Sequence, residues 1–247
     1  MRKFGLIGYP LSHTFSPSYF TEKFKREAIA DAEYHAYSIQ DAEMFLGLIT
    51  EDHVGFNVTI PHKEAVIPLL TRLSDEAAKI GAVNTILVQG DELIGYNSDV
   101  YGFRQSLERW AGSALAERAL ILGSGGASKA VQYVLSQLNI DYQIVSRKDD
   151  YLQYSKLNPD IMDSHRLIIN TTPLGMSPKD DTCPAIPYGS LSSAHQLYDL
   201  VYNPEKTLFL QRGEAAGAMI KNGHDMLILQ AEKSWSIWNG NMLAYSH

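Results

Sequence analysis

Cysteine is almost missing from this chain of 247 residues; Cys183 stands alone. One thiol cannot form an internal disulfide, so a reducing compartment such as the cytoplasm is the simplest setting. Long apolar runs are missing as well. None approaches the roughly 20 residues that cross a bilayer, and no membrane partner is expected. Met1-Arg2-Lys3-Phe4-Gly5 runs straight into strand-like sequence, so no signal peptide is expected. Basic clusters are scarce: Lys25-Arg26 and Arg147-Lys148 are short pairs in a chain of net charge −7. That argues against a general nucleic-acid surface. No set of Cys, His and Asp has ligand spacing, so no metal site is expected. Repeats and low-complexity segments are absent.

What is present begins with Leu120-Ile121-Leu122, an apolar run that stops at Gly123-Ser124-Gly125-Gly126-Ala127. Ala130, Val131, Val134 and Leu135 follow at near-helical spacing. Strand, glycine turn and helix in that order form a diphosphate-binding element: the turn permits close approach, and the N–H groups opening the helix face an anion. Ser128 holds the third-glycine position of G-x-G-x-x-G, so an ordinary glycine turn remains open on this motif alone. The next strand, Tyr142 to Val145, ends at Ser146-Arg147-Lys148, where an NAD-preferring unit usually carries an acid. A guanidinium and an ammonium suit the 2′-phosphate of NADP. The competing reading is a solvated basic turn, softened by Asp149 and Asp150.

The glycine turn lies mid-chain, so a second unit precedes it. Short strands are expected at 4–8, 34–39 and 55–60, helices at 16–28, 41–49 and 62–70, and a hairpin from 82–88 with 92–95. Ser16-Pro17 reads as an N-cap followed by proline at the first helical position. Beyond Asp99 come a helix to about 110, strands at 119–122, 142–145, 167–170 and 197–201, and a helix at 226–238. The fold class is α/β, with a mostly parallel N-terminal domain and a Rossmann-like dinucleotide-binding domain facing a cleft.

Chemistry-bearing residues gather near expected strand ends. Asn57-Val58-Thr59-Ile60-Pro61-His62-Lys63 ends a strand in Thr59, breaks it with proline and reaches Lys63. A lysine at a helix start would oppose the local dipole and need a partner. Asn97-Ser98-Asp99 follows the hairpin and serves equally as a capping turn. Read functionally, Asp99 pairs with Lys63, and the two bind a substrate hydroxyl and relay its proton while hydride moves. Ser12-His13-Thr14-Phe15-Ser16 places hydroxyls beside a helix N-terminus, a neutral way to hold a carboxylate. His62 lacks any ligand set and reads as a packing or surface residue.

Taken in order, these segments resemble the shikimate dehydrogenase family over nearly the whole chain. Gly8 to Pro17 is similar to the family's carboxylate loop, and Asn57 to Lys63 to its N-V-T-x-P-x-K signature. Gly81-Ala82-Val83-Asn84-Thr85 resembles its G-A-V-N-T, and Asn97-Ser98-Asp99 its N-T-D. Ser146-Arg147-Lys148 stands at its N-R-T position. Asn170 to Met176, Asp199 to Pro204 and Met226 to Ala231 are similar to its later segments.

The resemblance implies NADP-dependent, reversible reduction of 3-dehydroshikimate to shikimate, on the route to chorismate and the aromatic amino acids. It implies Lys63 and Asp99 as the catalytic pair and Thr14, Ser16, Thr59, Asn84, Tyr202 and Gln230 as substrate contacts. Cofactor contacts would be Gly123, Ser124, Gly125, Gly126, Ala127, Ser146, Arg147, Lys148, Thr171, Thr172 and Met176. It further implies a substrate domain of residues 1–98 joined by 224–247, a cofactor domain of 99–223, and a monomer or homodimer. Thr14, Val100 and Asp225 depart from the family's usual serine, glycine and glycine. A quinate-directed relative using NAD, or a non-catalytic metabolite sensor on the same fold, remains an alternative.

Overall fold

The computed structural model describes residues 1–11 and 14–240. Ser12 and His13, part of the expected carboxylate loop, lie outside the described residues. The chain forms two compact units: residues 1–98 together with the chain from Ala231 onward, and residues 99–230.

In the first unit the order is β1 (Arg2–Gly8), α1 (Phe15–Arg26), β2 (Ala32–Ser38), β3 (His53–Val58), β4 (Arg72–Leu73), α2 (Asp75–Ile80), β5 (Thr85–Gln89) and β6 (Glu92–Tyr96). The strands make one sheet in the order β2-β1-β3-β5-β6-β4. The β1 pairings with β2 and β3 and the β4–β6 pairing are parallel; β5 runs antiparallel to β3 and β6. Because β1 lies between β2 and β3, the chain reverses its winding there, and the carboxyl end of β1 is a topological switch point.

Side chains alternate across this sheet with period two. Phe4, Leu6 and Tyr34 join Phe20, Phe24 and Trp238 on one face. Ile7, Phe56, Val58 and Ile86 join Phe45 and Val66 on the other. Trp238 fastens the end of the last described helix by donating its Nε1–H to the Ile86 carbonyl at 2.9 Å.

The second unit follows with α3 (Ser98–Ala111), β7 (Arg118–Leu122), α4 (Gly126–Gln137), β8 (Asp141–Val145), α5 (Pro159–Ser164), β9 (Leu167–Asn170), β10 (Gln196–Asp199), α6 (Leu208–Ala215), β11 (Met219–Lys221) and α7 (His224–Trp238). Its five strands are all parallel, in the order β11-β10-β9-β7-β8. β7 is flanked by β8 and β9, so its carboxyl end is again a switch point. The strands read as continuous apolar runs, as expected of a sheet buried on both faces: Leu120, Ile121, Leu122, Leu167, Ile168 and Ile169 are fully buried.

Several expectations need correction. No α-helix covers 62–70; turns lead to a short 3₁₀ segment at Ile67–Leu69, so the dipole argument about Lys63 falls away. Ala42–Leu48 is a 3₁₀ helix. α1 begins at Phe15 rather than beyond Ser16, and Thr14 occupies its N-cap position without capping through its side chain. The units divide inside α7, at Ala231, rather than at 224. α7 is one helix serving two cores. Its first half packs so closely on α3 that a Cβ on Gly102 would lie 2.6 Å from the Met226 carbonyl oxygen. Its second half carries Trp235 and Trp238 into the first unit.

Candidate active site

At the switch point of the first sheet the backbone is tied tip to tip. The Thr59 N–H donates to the Ile7 carbonyl at 2.9 Å, and the Tyr9 N–H to the Ile60 carbonyl at 3.0 Å. Half-buried Thr59 therefore sits directly beside the loop that leads to Thr14 and Ser16. Past Pro61 the chain is pinned twice more. Buried His62 hydrogen-bonds the Ile39 carbonyl through Nε2 at 2.8 Å, which makes it a packing residue. The Lys63 carbonyl accepts the Val83 N–H at 2.7 Å. That bond fixes the lysine's backbone beside the strand approach bearing Asn84, while its side chain is half-exposed.

Asn84 is buried, and both ends of its carboxamide are engaged. Oδ1 accepts the Ser98 N–H at 2.6 Å, and Nδ2 donates to Ser98 Oγ at 3.0 Å. Asn84 thereby anchors the start of α3, whose second residue is buried Asp99. Ser16 is buried too; its hydroxyl meets that of Tyr34, which donates to Asn57 Oδ1 at 2.8 Å. Burial pushes the Tyr34 phenol well above its ordinary range, so it remains a donor.

The second unit's tips lie in register: Leu122 opposite Val145 and Asn170, and Asn170 opposite Asp199. Gly123 follows at φ +111°, and a Cβ there would stand 2.7 Å from Thr171 Oγ1 and 2.9 Å from Thr172 Cγ2. Only glycine suits both the dihedral and the approach. Thr171 is fixed in turn by donating its hydroxyl to the Leu122 carbonyl at 2.8 Å. Gly125 is the N-cap of α4, with open space where a Cβ would be and no acid in the helix's first turn. Ser128, at the third-glycine position, is buried and turns its hydroxyl back onto the Gly125 carbonyl at 2.8 Å. Gly126 and Ala127 open the helix.

Ser124 and Ser146 share a hydrogen bond of 3.0 Å, and the Lys148 N–H donates to Ser146 Oγ at 3.2 Å. That turn leaves Arg147 and Lys148 exposed at the end of β8. A helix opening with no acid in its first turn, a glycine cradle and two cations beyond the neighbouring strand fit a dinucleotide with an extra phosphate.

One residue of this cluster was missed by sequence reasoning. Asp199 is fully buried at the end of β10. It accepts from Asn170 Nδ2 at 2.9 Å, the Val201 N–H at 3.0 Å and Thr207 Oγ1 at 2.5 Å. Asn170 Oδ1 takes the Thr172 N–H at 3.0 Å and its hydroxyl at 2.6 Å. One carboxylate thus ties the segment of Thr171 and Thr172 to that of Tyr202. Burial raises its pKa to about 6 against those three donors. A lone acid ending an apolar strand was the available signal.

The remaining candidates fall as follows. Tyr202 is half-buried, and burial raises its phenol. Met176 is exposed. Buried Gln230 donates Nε2 to the Leu227 carbonyl at 3.0 Å. Val100 belongs to the core. Asp225 is exposed in the first turn of α7 and pairs with Lys221, a favourable place for an acid.

The doubly wound sheet with its glycine turn, and the lysine and carboxamides at the strand ends of a second α/β unit, define a class: two-unit, dinucleotide-dependent oxidoreductases. The comparisons specify it further. A family model described as the shikimate dehydrogenase substrate binding domain matches residues 6–86. The shikimate dehydrogenase (NADP(+)) of Methanococcus maripaludis is 36% identical, covering 96% of this chain and 91% of its own. That of Staphylococcus haemolyticus is 37% identical over 96% and 92%. A crystal structure of the Thermus thermophilus shikimate 5-dehydrogenase with NADP(H) and shikimate superposes with a TM-score of 0.85, at 28% identity, over 97% of this chain and 94% of that one. The chain belongs to the shikimate dehydrogenase family.

Proposed function

We propose that this protein catalyses the reversible, NADP-dependent reduction of 3-dehydroshikimate to shikimate in the shikimate pathway. The observation that supports the reading is the hydrogen bond from the Val83 N–H to the Lys63 carbonyl, which ties the Lys63 backbone to the residue preceding Asn84. Bound NADPH supplies the hydride for the ketone carbon. Lys63 gives a proton to the oxygen that becomes the hydroxyl, and in the reverse direction takes it back. Asp99 binds that same hydroxyl as catalytic partner. Asn84, Thr59 and Gln230 meet the ring hydroxyls. Thr14, Ser16 and Tyr202 hold the carboxylate through neutral hydroxyls; the raised phenol pKa keeps Tyr202 a donor.

Gly123, Ser124, Gly125, Gly126 and Ala127 cradle the diphosphate, while Ser146, Arg147 and Lys148 take the 2′-phosphate. Thr171, Thr172 and Met176 face the nicotinamide. The division of labour is a substrate unit of 1–98 with the end of α7 and a cofactor unit after it. We place the enzyme in the cytoplasm, as a monomer or homodimer, without a nucleic-acid partner; the scarcity of basic clusters supports the last point. Among the described residues no helix is long and apolar enough to cross a membrane.

The test is spectrophotometric: purified protein with shikimate and NADP should accumulate NADPH. Turnover with quinate and NAD but not with this pair would overturn the reading.

A further inference from the structure

Five buried polar side chains meet on the face of the first sheet that α7 covers. Asn57, Asn84, Thr85, Ser98 and Ser234 are each at most 4% exposed. Burying so many polar groups is unfavourable unless each finds a hydrogen-bond partner. The register explains their meeting: Asn57 of β3 stands directly opposite Thr85 of β5, so both point to the same face. Ser234 descends onto that pair from α7. Its Oγ accepts from Asn57 Nδ2 at 2.9 Å and lies 2.8 Å from Thr85 Oγ1 and 3.0 Å from Ser98 Oγ. Of its neighbours on the helix, Ile237 and Trp238 are core residues and Trp235 packs against them. An alanine would fill such a helix position with better propensity and no polar cost.

The bonding pattern gives that hydroxyl a task. It accepts from Asn57, and it shares hydrogen bonds with the Ser98 and Thr85 hydroxyls in which either oxygen can donate. Those same two hydroxyls donate to Asn84 Oδ1, Ser98 at 3.2 Å and Thr85 at 3.1 Å. Ser234 Oγ thus braces, from the side away from the carboxamide, the two hydroxyls that join the Ser98 N–H in fixing Asn84 Oδ1, and removing it takes a shared partner from both. Asn57 carries the connection the other way, through Tyr34 to Ser16.

We infer that Ser234 is a positioning residue of the substrate subsite. Acting through Ser98 and Thr85, it holds the Asn84 carboxamide in the orientation that meets the substrate's hydroxyls. This rests on the function proposed above.

The experiment is steady-state kinetics with shikimate and NADP on wild type, Ser234→Ala, Asn84→Ala and the double variant, with Ser236→Ala as a buried control on the same helix. Ser234→Ala should raise the KM for shikimate about five- to tenfold, the size of one ordinary hydrogen bond. It should leave the KM for NADP and the thermal midpoint near wild type, and Ser236→Ala should leave all three unchanged. In the Asn84→Ala background, Ser234→Ala should add no further rise, because the group it positions is gone. An unchanged KM in Ser234→Ala, or a full additional rise in the double variant, overturns the inference. Parallel losses for shikimate and NADP would show a merely structural role and overturn it too. Wild-type protein inert toward shikimate sinks the functional reading itself, an outcome seen before any variant is made.

Discussion

The two sheets end in clusters built from different materials. In the first unit the ends of β3, β5 and β6 are cross-linked by side chains: Asn57, Asn84, Thr85, Ser98 and Ser234 bond one another, and all are neutral. In the second unit the ends of β7 and β8 are shaped by backbone: a glycine at φ +111°, an open helix N-cap and a turn that leaves Arg147 and Lys148 in solvent. The contrast fits what each is proposed to hold. A small ring bearing hydroxyls is told from its relatives by rigid, individually placed donors and acceptors. A long dinucleotide is gripped by backbone N–H groups and mobile cations. Rigid donors must be locked by a supporting shell, and a glycine cradle needs little beyond its dihedrals.

The largest effect should come from the group that handles the proton. Lys63→Ala should lower kcat by about 10²–10⁴-fold, with a smaller change in shikimate affinity and none in the Kd for NADP. Stopped-flow turnover and cofactor titration together check this. If the variant also lost NADP binding, the separation of the two clusters would fail.

Next in size is a difference in pH response. The five cross-linked side chains of the first cluster carry no titrating group, whereas the strand ends of the second unit hang on Asp199, whose pKa burial raises to about 6. A carboxyl raised above its unfolded value near 3.8 contributes stability that is full below that value. The contribution is lost as pH rises through the folded pKa. Asp199→Asn keeps an acceptor for Asn170 and the Val201 N–H, and its amide can donate to Thr207. It should remove the pH dependence, gaining up to about 3 kcal/mol on wild type between pH 4 and pH 8. Urea unfolding across that range measures it, and parallel curves for the two proteins would refute the assignment.

What the sequence revealed follows the same contrast. The glycine turn, the basic tip and the order of strands and helices in the second unit were legible because backbone demands write themselves as local spacing. Lys63 and Asn84 were legible by their likeness to a family's segments. Ser234 and Asp199 were not. Each owes its place to a residue distant in sequence: Ser234 to a strand pair it caps from a helix, Asp199 to the in-register Asn170 of a neighbouring strand. No spacing along the chain encodes such meetings. The expected helix over 62–70 failed for a related reason. Apolar residues recur there, but the His62 ring and the Lys63 carbonyl bond to Ile39 and Val83, and those ties hold the segment in turns.

A smaller effect tests the cofactor side. Arg147→Ala should weaken NADP binding about tenfold or more, since a hydrogen bond to a charged group is worth roughly 1.5–3 kcal/mol. NAD binding and the KM for shikimate should change far less. Measuring KM for both cofactors checks this; an equal loss for NADP and NAD would show that the exposed tip does not select the phosphate.

The smallest effect sharpens the comparison most finely. Thr14 stands at the N-cap of α1 but does not cap it, and Ser16, two residues on, is already tied to Tyr34. Thr14→Ser therefore removes one methyl and keeps the hydroxyl, without disturbing the helix start. A methyl in a fitted pocket is worth roughly 1–3 kcal/mol at most, and at this half-buried position the lower end applies. The variant should keep kcat with shikimate and change its KM less than tenfold. The informative readout is the ratio of kcat/KM for shikimate to that for quinate, which carries one hydroxyl more. If the first cluster is as rigid as its cross-links imply, the freed space should admit the larger substrate better and lower that ratio. An unchanged ratio would mean that the methyl does not face the ligand and that substrate choice is set deeper, among the locked carboxamides.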